Sequence, residues 1–167
     1  MFRVAELDIT GTDTTYFDGI TLYEFRISQK VMQNYRVNPD NEIYGVNITG
    51  TANMTSFKHA KVLATKGHYL DFEPEMSHIL PVILNRTTKE PILPERENDD
   101  TIIKAESNTG ANIWTKERLM INFHMENDKL WDGEEFLIPL IYVEKQSIPP
   151  KKLFEAQFNK LAWAKTE

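Results

Sequence analysis

The chain of 167 residues contains no cysteine. This absence excludes disulfide bonds, thiolate catalysis and thiolate-bound metal, and it fits a reducing compartment. Glycine is scarce and scattered, with seven residues, and neither a G-x-x-x-x-G-K-[ST] phosphate loop nor a G-x-G-x-x-G fingerprint occurs. The sequence therefore argues against nucleotide binding by a standard loop.

Positive charge and long apolar runs are also limited. The net charge is −6 and the pI is near 5.3, whereas nucleic-acid binding usually needs a basic face. No apolar run approaches the roughly 20 residues that span a bilayer, and the first residues lack the pattern of a signal peptide. These features predict a cytoplasmic or particle-associated protein without membrane contact, and they disfavour nucleic acid as a partner.

Three tripeptides match the pattern for N-glycosylation. They are Asn47-Ile48-Thr49, Asn53-Met54-Thr55 and Asn85-Arg86-Thr87. Because no secretory signal is visible, we interpret them as chance matches.

Length and composition predict one domain, residues 1–167. Hydrophobic residues make up 41% of the chain, and a chain of this size buries about 70% of its unfolded surface on folding. The predicted fold class is mainly β (α+β), an antiparallel β-barrel or sandwich with one short internal helix and a C-terminal amphipathic helix over about 149–164. An extended polar loop is predicted over about 85–101. The predicted strands outside the central hairpin are Phe2–Thr10, Ile20–Ile27, Glu42–Thr49 and Thr101–Glu106.

The strongest pattern is a hairpin over Arg118–Glu144. Apolar residues alternate with polar ones along its first half, which is typical of a half-buried strand; the apolar set is Leu119, Ile121, Phe123 and Met125. Phe136–Val143 is almost continuously apolar, which predicts a central strand buried on both faces. Pro139 has no backbone N–H to donate to a neighbouring strand, so it indicates a β-bulge or a strand with one unpaired edge.

Two further assignments concern helices and strand faces. Thr55–Gly67 has an N-terminal cap, an apolar stripe and a glycine stop, which predict the internal helix; the competing interpretation is a strand through Lys61–Thr65. In the strand Ile20–Ile27 we predict that the face carrying Tyr23, Phe25 and Ile27 is the core face.

The spacing that most resembles a metal site is His68-x-x-Asp71-x-Glu73-x-Glu75-x-x-His78. Histidine and carboxylate side chains are suitable ligands for zinc or non-haem iron. Because Pro74 interrupts the segment and these residue types are mostly exposed, we interpret it as a solvated acidic segment. His68, Asp71, Glu73 and His78 are the candidate ligands. No metal, cofactor or catalytic residue is predicted.

The order of elements from Ile20 to Gly67, with FRISQKV, a polar turn, EIYGVNIT and a capped helix, resembles the front half of tube-forming proteins of phage tails and type VI secretion needles. Those proteins are β-barrels with one short helix that stack as rings. The glycine-rich turns of that family are missing here, and the C-terminal helix is additional.

Without a catalytic motif or a basic surface, we expect a non-enzymatic structural or interaction subunit, homo-oligomeric, whose partners are copies of itself and other proteins of an assembly. The resemblance implies a ring- or tube-forming subunit of a phage-tail-like or secretion particle. The alternatives are a small-ligand or metal-binding β-barrel, including an enzyme, and a barrel that binds single-stranded nucleic acid.

Overall fold

The protein is mainly β, and its strands form one open, curled antiparallel sheet. The computed structural model describes residues 5–14, 20–54, 61–72, 85, 87–90, 92–125, 136–150 and 152. The strands are β1 (Leu7–Asp13), β2 (Leu22–Ile27), β3 (Thr51–Asn53), β4 (Lys61–Thr65), β5 (Ile102–Glu106), β6 (Asn112–Met125) and β7 (Phe136–Ser147). One short helix, α1 (Arg96–Asp99), and three 3₁₀ segments, Gln29–Met32, Pro39–Tyr44 and Gly67–Tyr69, complete the regular structure of the described residues.

The long strand β6 organises the sheet. One edge of β6 pairs with β5 near its start and with β4 near its end, while β7 pairs along the other edge. The strand order on the first side continues from β5 to β2 and β1, and from β4 to β3. At 14 residues, β6 is long enough to hold two separate groups of strands in one sheet.

The predicted hairpin of β6 and β7 is confirmed, and so is a bulge at its proline. The register shifts where Ile121 faces Ile141 and Asn122 faces Pro139, which leaves Leu140 as the extra residue. A residue that cannot donate to the ladder is accommodated at such a shift. However, the prediction that this strand is central and buried on both faces is wrong. In the described part of the chain β7 pairs with β6 alone, and its residues from Ile138 to Ser147 are exposed.

The sheet buries the face that the sequence marks as polar. In β6 from Arg118 onward the buried side chains are Arg118, Met120, Asn122 and His124, and the apolar row between them is half-buried or exposed. The same reversal occurs in β2, where Leu22 and Arg26 are buried and Tyr23 is 38% exposed. The predicted core face of β2 is therefore wrong, because the turns of the chain pack on the other side of the sheet.

Two small hydrophobic clusters form the core. The larger contains Ile48, Leu63, Tyr69, Met120 and Leu137, with Phe72 packed against it. The smaller joins Leu22 of β2 and Ile113 of β6. The larger cluster lies on the buried face, between the sheet and the turns that cover it.

Several predicted elements have different structures. Lys61–Thr65 is strand β4, so the competing interpretation holds there and the helix over Thr55–Gly67 is wrong for its described residues. Pairing with β6 overrides a helical pattern of this strength, because local propensity is a weak constraint. The predicted strand Glu42–Thr49 instead contains part of the 3₁₀ segment Pro39–Tyr44 and a turn.

The predicted polar loop over 85–101 ends in structured chain. It contains α1, and Asp99, Asp100 and Thr101 at its end are buried. The C-terminal helix predicted over about 149–164 lies outside the described residues except for its first positions, 149, 150 and 152.

Candidate functional site

The face of the sheet opposite Arg26, Arg118 and Asn122 is apolar across β7, β6, β4, β5 and β2, and most of its side chains are half-buried or exposed, whereas Ala64 is buried. Residues that face each other in antiparallel strands lie on the same side of the sheet, so the strand register defines this surface. We call it the apolar face. Its members are Tyr23, Phe25, Ile27, Val62, Ala64, Ile103, Leu119, Ile121, Phe123, Met125, Ile138, Ile141 and Val143.

The part of the apolar face on β6 and β7 is the most accessible. Ile141 is 55% exposed, Ile138 and Val143 are each 42% exposed, and Leu119 is 36% exposed. Apolar residues that are exposed together on one surface usually mark a site for a ligand, a membrane or another protein. Burial of such a surface is favourable by about 25 cal/mol per Å² of apolar area.

The opposite face of β6 carries a buried polar network at Asn122, which is 0% exposed. Its Nδ2 donates to Thr65 Oγ1 at 3.0 Å and to the Leu63 carbonyl at 3.3 Å. Its Oδ1 accepts from the Tyr69 hydroxyl at 2.9 Å. Burial raises the pKa of the Tyr69 hydroxyl well above its usual range, so this hydroxyl stays protonated and donates.

A cluster of charges adjoins this network where the turn at residues 66–71 meets α1. The Lys66 ammonium lies 2.9 Å from Asp100 Oδ1 and 2.8 Å from Asp71 Oδ2. The side chain of Lys66 is 4% exposed and that of Asp100 is 0% exposed. Arg96 is the fourth member of the cluster and lies 2.6 Å from Asp71 Oδ1 and 3.3 Å from Asp100 Oδ2. Four side chains from two distant segments thus neutralise one another, with Lys66 and Asp100 buried and Arg96 at the surface side.

Two buried arginines hold α1 to the sheet. Arg118 of β6 donates to the carbonyls of Glu97 at 2.9 Å and Asp100 at 3.1 Å. Arg26 of β2 donates to the Arg96 carbonyl at 3.0 Å and pairs with Glu97 at 2.8 Å. These bonds tie carbonyls of α1 and of the following residue, Asp100, to the sheet, and the Arg96 carbonyl also accepts the Asp100 N–H at 3.2 Å.

The pKa values follow from this pairing. Burial would raise the pKa of Asp71, but the bonds and charges of Lys66 and Arg96 outweigh burial and hold it below its usual value. Burial likewise opposes the charge of Arg26, but Glu24 and Glu97 raise its pKa. Asp71 and Arg26 therefore stay ionised at neutral pH. The described residues contain no buried side-chain nitrogen or oxygen that lacks a hydrogen-bond partner.

The turn that supplies Lys66 has an unusual backbone. His68, Tyr69 and Asp71 have φ values of 42°, 61° and 63°, in the left-handed region that residues other than glycine rarely adopt. Such conformations persist only where the surroundings determine them. Here Asp71 is held by Lys66 and Arg96, and Tyr69 is held in the core.

The two candidate metal ligands among the described residues, His68 and Asp71, have different partners. His68 Nδ1 contacts Asp99 Oδ1, and its ring stacks on Tyr142 with the centroids 5.5 Å apart. Asp71 instead pairs with Lys66 and Arg96. Glu73 and His78 lie outside the described residues. The described ranges contain no group of three histidine or acidic side chains that could hold a metal ion.

Sequence reasoning missed the residues that organise this region. Arg118, Asn122 and His124 alternate in β6 and read as a solvent face, yet they are buried. The one local signal was the presence of an arginine and an asparagine within a strongly apolar strand.

A cleft of about 580 Å³ lies beside β1 and β2 and is lined by Asp8, Glu24, Arg26, Lys30, Arg96 and Glu97 among others. Acidic and basic side chains are balanced along it, and Arg26 already pairs with Glu24 and Glu97. The cleft therefore shows no preference for a ligand of one charge. None of the helices among the described residues has the length and apolar character needed to cross a membrane.

Comparison with known proteins gives a match over almost the whole chain. The model of the CD36 family matches residues 1–166, and no curated protein matches. This is a family of scavenger receptors and membrane-associated proteins. The match overturns the resemblance to tail-tube and secretion-needle proteins, so the prediction of a phage-tail-like structural subunit is wrong, and the metal-binding and nucleic-acid-binding alternatives gain no support.

Proposed function

Because the chain belongs to the CD36 family, we propose that it is a non-enzymatic receptor or binding protein. We propose further that its apolar face contacts an apolar ligand, with the acyl chain of a lipid as the ligand class. The family is one of receptors and lipid-binding proteins. Membership supports the class of function, and the side chains of the apolar face support the class of ligand.

The observation that carries this proposal is the exposure of the apolar face on β6 and β7. Ile138, Ile141 and Val143 lie side by side with Leu119, Ile121 and Phe123 in register. An acyl chain has no polar group along its length, so it needs apolar contacts and gains affinity from the area that it removes from water. A surface formed by two paired strands provides those contacts along a line.

The charged cluster has a supporting role in this proposal. Lys66, Asp71, Arg96 and Asp100 are engaged with one another, and Arg26 and Arg118 anchor α1. These bonds hold the turns against the buried face of the sheet. The opposite, apolar face then keeps its shape whether or not a ligand is bound.

Ile141→Asp tests the proposal. A carboxylate in the middle of the apolar face removes an apolar contact and must be desolvated when an acyl chain binds. We expect the dissociation constant of a fluorescent long-chain fatty acid to rise at least about tenfold, because a buried isoleucine contributes about 1.5–3 kcal/mol. Titration of the probe, with circular dichroism as a check on folding, measures this change.

Ile43→Asp is the matched control. Ile43 is 67% exposed and lies in the 3₁₀ segment Pro39–Tyr44, away from the apolar face. This variant should bind the probe as the wild type does. Equal binding by the wild type and both variants, or no binding by any of them, would show that the apolar face is not the ligand site.

A further inference from the structure

We infer that the cleft beside β1 and β2 binds a small zwitterion, a molecule with an ammonium group and a carboxylate a few atoms apart, which is the chemical class of the free amino acids. The Asp8 carboxylate binds the ammonium group, and the Lys30 ammonium binds the carboxylate. The cleft lies on the side of the sheet that carries Arg26, opposite the apolar face. The inference therefore goes beyond the proposed function and does not rest on it.

Two strands form the floor of the cleft. Asp8 of β1 lies directly opposite Arg26 of β2 in the strand register, so the two side chains are on the same face of the sheet. Arg26 pairs with other groups, since its Nη2 lies 2.9 Å from Glu24 and 2.8 Å from Glu97, and its Nη1 donates to the Arg96 carbonyl. The described part of the chain supplies no hydrogen-bond or salt-bridge partner for the Asp8 side chain. This exposed carboxylate is therefore available to a ligand in the cleft.

Lys30 forms one wall of the cleft, in the 3₁₀ segment Gln29–Met32 that follows β2. Its backbone is held in place, because its carbonyl accepts from Asn41 Nδ2 at 2.8 Å and from Asn38 Nδ2 at 3.0 Å. The residue is exposed, and within the described ranges its ammonium pairs with no acidic side chain. One anion and one cation are thus presented to the same cleft from two elements.

The other charges that line the cleft are already paired. Arg26 pairs with two glutamates, and Arg96 pairs with two aspartates of the charged cluster. The charges that remain are those of Asp8 and Lys30, which have opposite signs. A ligand of one sign would be attracted by one of them and repelled by the other. A zwitterion meets both, and hydrogen bonds between charged groups are roughly twice as strong as those between neutral groups.

The size and the lining of the cleft agree with a small polar ligand. Its volume of about 580 Å³ lies in the range of about 300–1,000 Å³ that is usual for small-molecule sites. Thr10, Gln29 and Gln33 add neutral polar groups, and among the described residues of the lining Ile27 is the only apolar one. The lining therefore disfavours an acyl chain and favours an amino acid with a polar side chain, such as glutamine.

A second cleft shares Lys30 and differs in its charge. Its volume is about 480 Å³, and the other charged residues of its described lining are all acidic: Glu6, Asp40 and Glu42. Three carboxylates there repel the carboxylate of a ligand from Lys30. The cleft beside β1 and β2 offers Lys30 together with a single available carboxylate, so it is the one that fits a zwitterion.

The test is isothermal titration calorimetry of the purified protein with L-glutamine and with two derivatives that each lack one charge. N-acetyl-L-glutamine has no ammonium group, and L-glutaminamide has no carboxylate. We expect L-glutamine to give a saturable isotherm, and each derivative to bind at least about tenfold more weakly because one charge-assisted hydrogen bond is lost. Absence of L-glutamine binding, or equal affinity for either derivative, would overturn the inference.

Variants assign the two charges to their residues. Asp8→Asn removes the anion and Lys30→Gln removes the cation, and each should raise the dissociation constant of L-glutamine at least about tenfold. Asp8→Asn should not weaken binding of N-acetyl-L-glutamine, which has no ammonium group for Asp8 to bind. Lys30→Gln should likewise not weaken binding of L-glutaminamide. Equal losses for all three ligands, or no loss in either variant, would refute the assigned roles.

Asp40→Asn and Lys89→Gln are the matched controls. Asp40 lines the second cleft, Lys89 lies in the turn that begins at Asn85, and both are exposed. Both variants should bind L-glutamine as the wild type does, and losses equal to those of the cleft variants would contradict the inference. The fatty-acid titration is repeated with Asp8→Asn and Lys30→Gln. It should be unchanged, because the apolar face lies on the other side of the sheet, so failure of this inference is distinguished from failure of the proposed function.

Discussion

Lys66 is the residue on which the charged cluster depends. Its ammonium is buried between Asp71 and Asp100, and Arg96 contacts the same two carboxylates from a more exposed position. A buried pair contributes little compared with apolar packing, but the loss of one partner leaves an uncompensated charge in the interior. The cluster should therefore tolerate loss of Lys66 poorly.

Lys66→Met is expected to lower the free energy of unfolding by about 3–5 kcal/mol, because Asp100 and Asp71 would retain only Arg96 as a cation. Urea unfolding at neutral pH measures the change. Lys145→Met is the control, since Lys145 lies 3.9 Å from Glu117 with both side chains more than half exposed. Its loss should cost about 0–1 kcal/mol. Equal effects of the two substitutions would show that the buried cluster is not important for stability.

Single residues also show where the candidate metal ligands lie. The spacing of His68, Asp71, Glu73 and His78 suggested ligands of one site, but side-chain partners are chosen in three dimensions. The left-handed backbone at residues 68, 69 and 71 separates His68 from Asp71. One then contacts Asp99 and the other contacts Lys66.

At the scale of elements, the turn before β3 shows how closely the covering segments pack on one another. Gly50 has a φ of 84°, and its N–H donates to the Met32 carbonyl at 2.8 Å. A Cβ at this position would lie 2.6 Å from Phe72 Cα and 2.7 Å from the Asp71 carbonyl oxygen. Backbone atoms cannot move aside as a flexible side chain does. Only glycine fits both the conformation and the space.

Gly50→Ala and Gly110→Ala separate the requirement for a positive φ from the requirement for space around the Cα atom. Gly110 also has a positive φ, of 68°, but a Cβ there would meet nothing within 4 Å. Gly110→Ala should cost about 1–2 kcal/mol from backbone strain alone. Gly50→Ala should cost clearly more in the same urea titration, because the clash with residues 71 and 72 adds to the strain. A smaller effect at position 50 would contradict the close approach of the two turns.

The hairpin of β6 and β7 shows what an element can determine by itself. Alternation in β6 and the bulge at Pro139 were predictable, because side-chain period and the missing proline donor are local properties. The edge position of β7 was not predictable in the same way. A continuous apolar run fits a strand buried in a core and equally fits a strand that presents apolar residues to a ligand.

At the scale of the whole molecule, the acidic composition makes stability depend on pH. Burial would raise the pKa of Glu106, but bonds from Thr109 and Asn108 outweigh it and lower the pKa from 4.5 to about 2. The pKa of Asp71 is also lowered. A carboxyl whose pKa is lower in the folded state than in the unfolded chain stabilises the folded state. The stabilisation is complete at pH values above the pKa of the unfolded chain. This stabilisation is lost as the pH falls towards the pKa of the carboxyl in the folded state.

We therefore expect the free energy of unfolding to fall between about pH 5 and pH 2, with Glu106 contributing up to about 3 kcal/mol. Glu106→Gln should be less stable than the wild type at pH 7 and should lose less stability on acidification. Urea unfolding at several pH values measures both effects. The exposed Glu90→Gln is the control, and parallel curves for the wild type and Glu106→Gln would refute the assigned role.

Two predictions about the whole molecule stay predictions. One is association with copies of itself and with other proteins, and the other is a cytoplasmic or particle-associated location, which was predicted from the absence of a visible signal.

The sequence by itself determined the mainly β class, the strands β2, β5 and β6, the hairpin and its bulge, and the exclusion of thiol chemistry. These properties depend on composition or on neighbours within a few residues. An alternation of apolar and polar residues indicates that a strand has two different faces. It does not state which of them the rest of the chain will cover.

Only the tertiary structure decided that question. The turns at residues 45–50 and 66–72, together with α1, pack on the side of Arg26, Arg118 and Asn122. Their carbonyls and carboxylates can satisfy those polar groups. Paired in this way, charged residues are stable in the interior, and the apolar row of each strand is left on the outer side. The physical reason is that burial follows the availability of partners from distant segments, which the pattern of one strand does not contain.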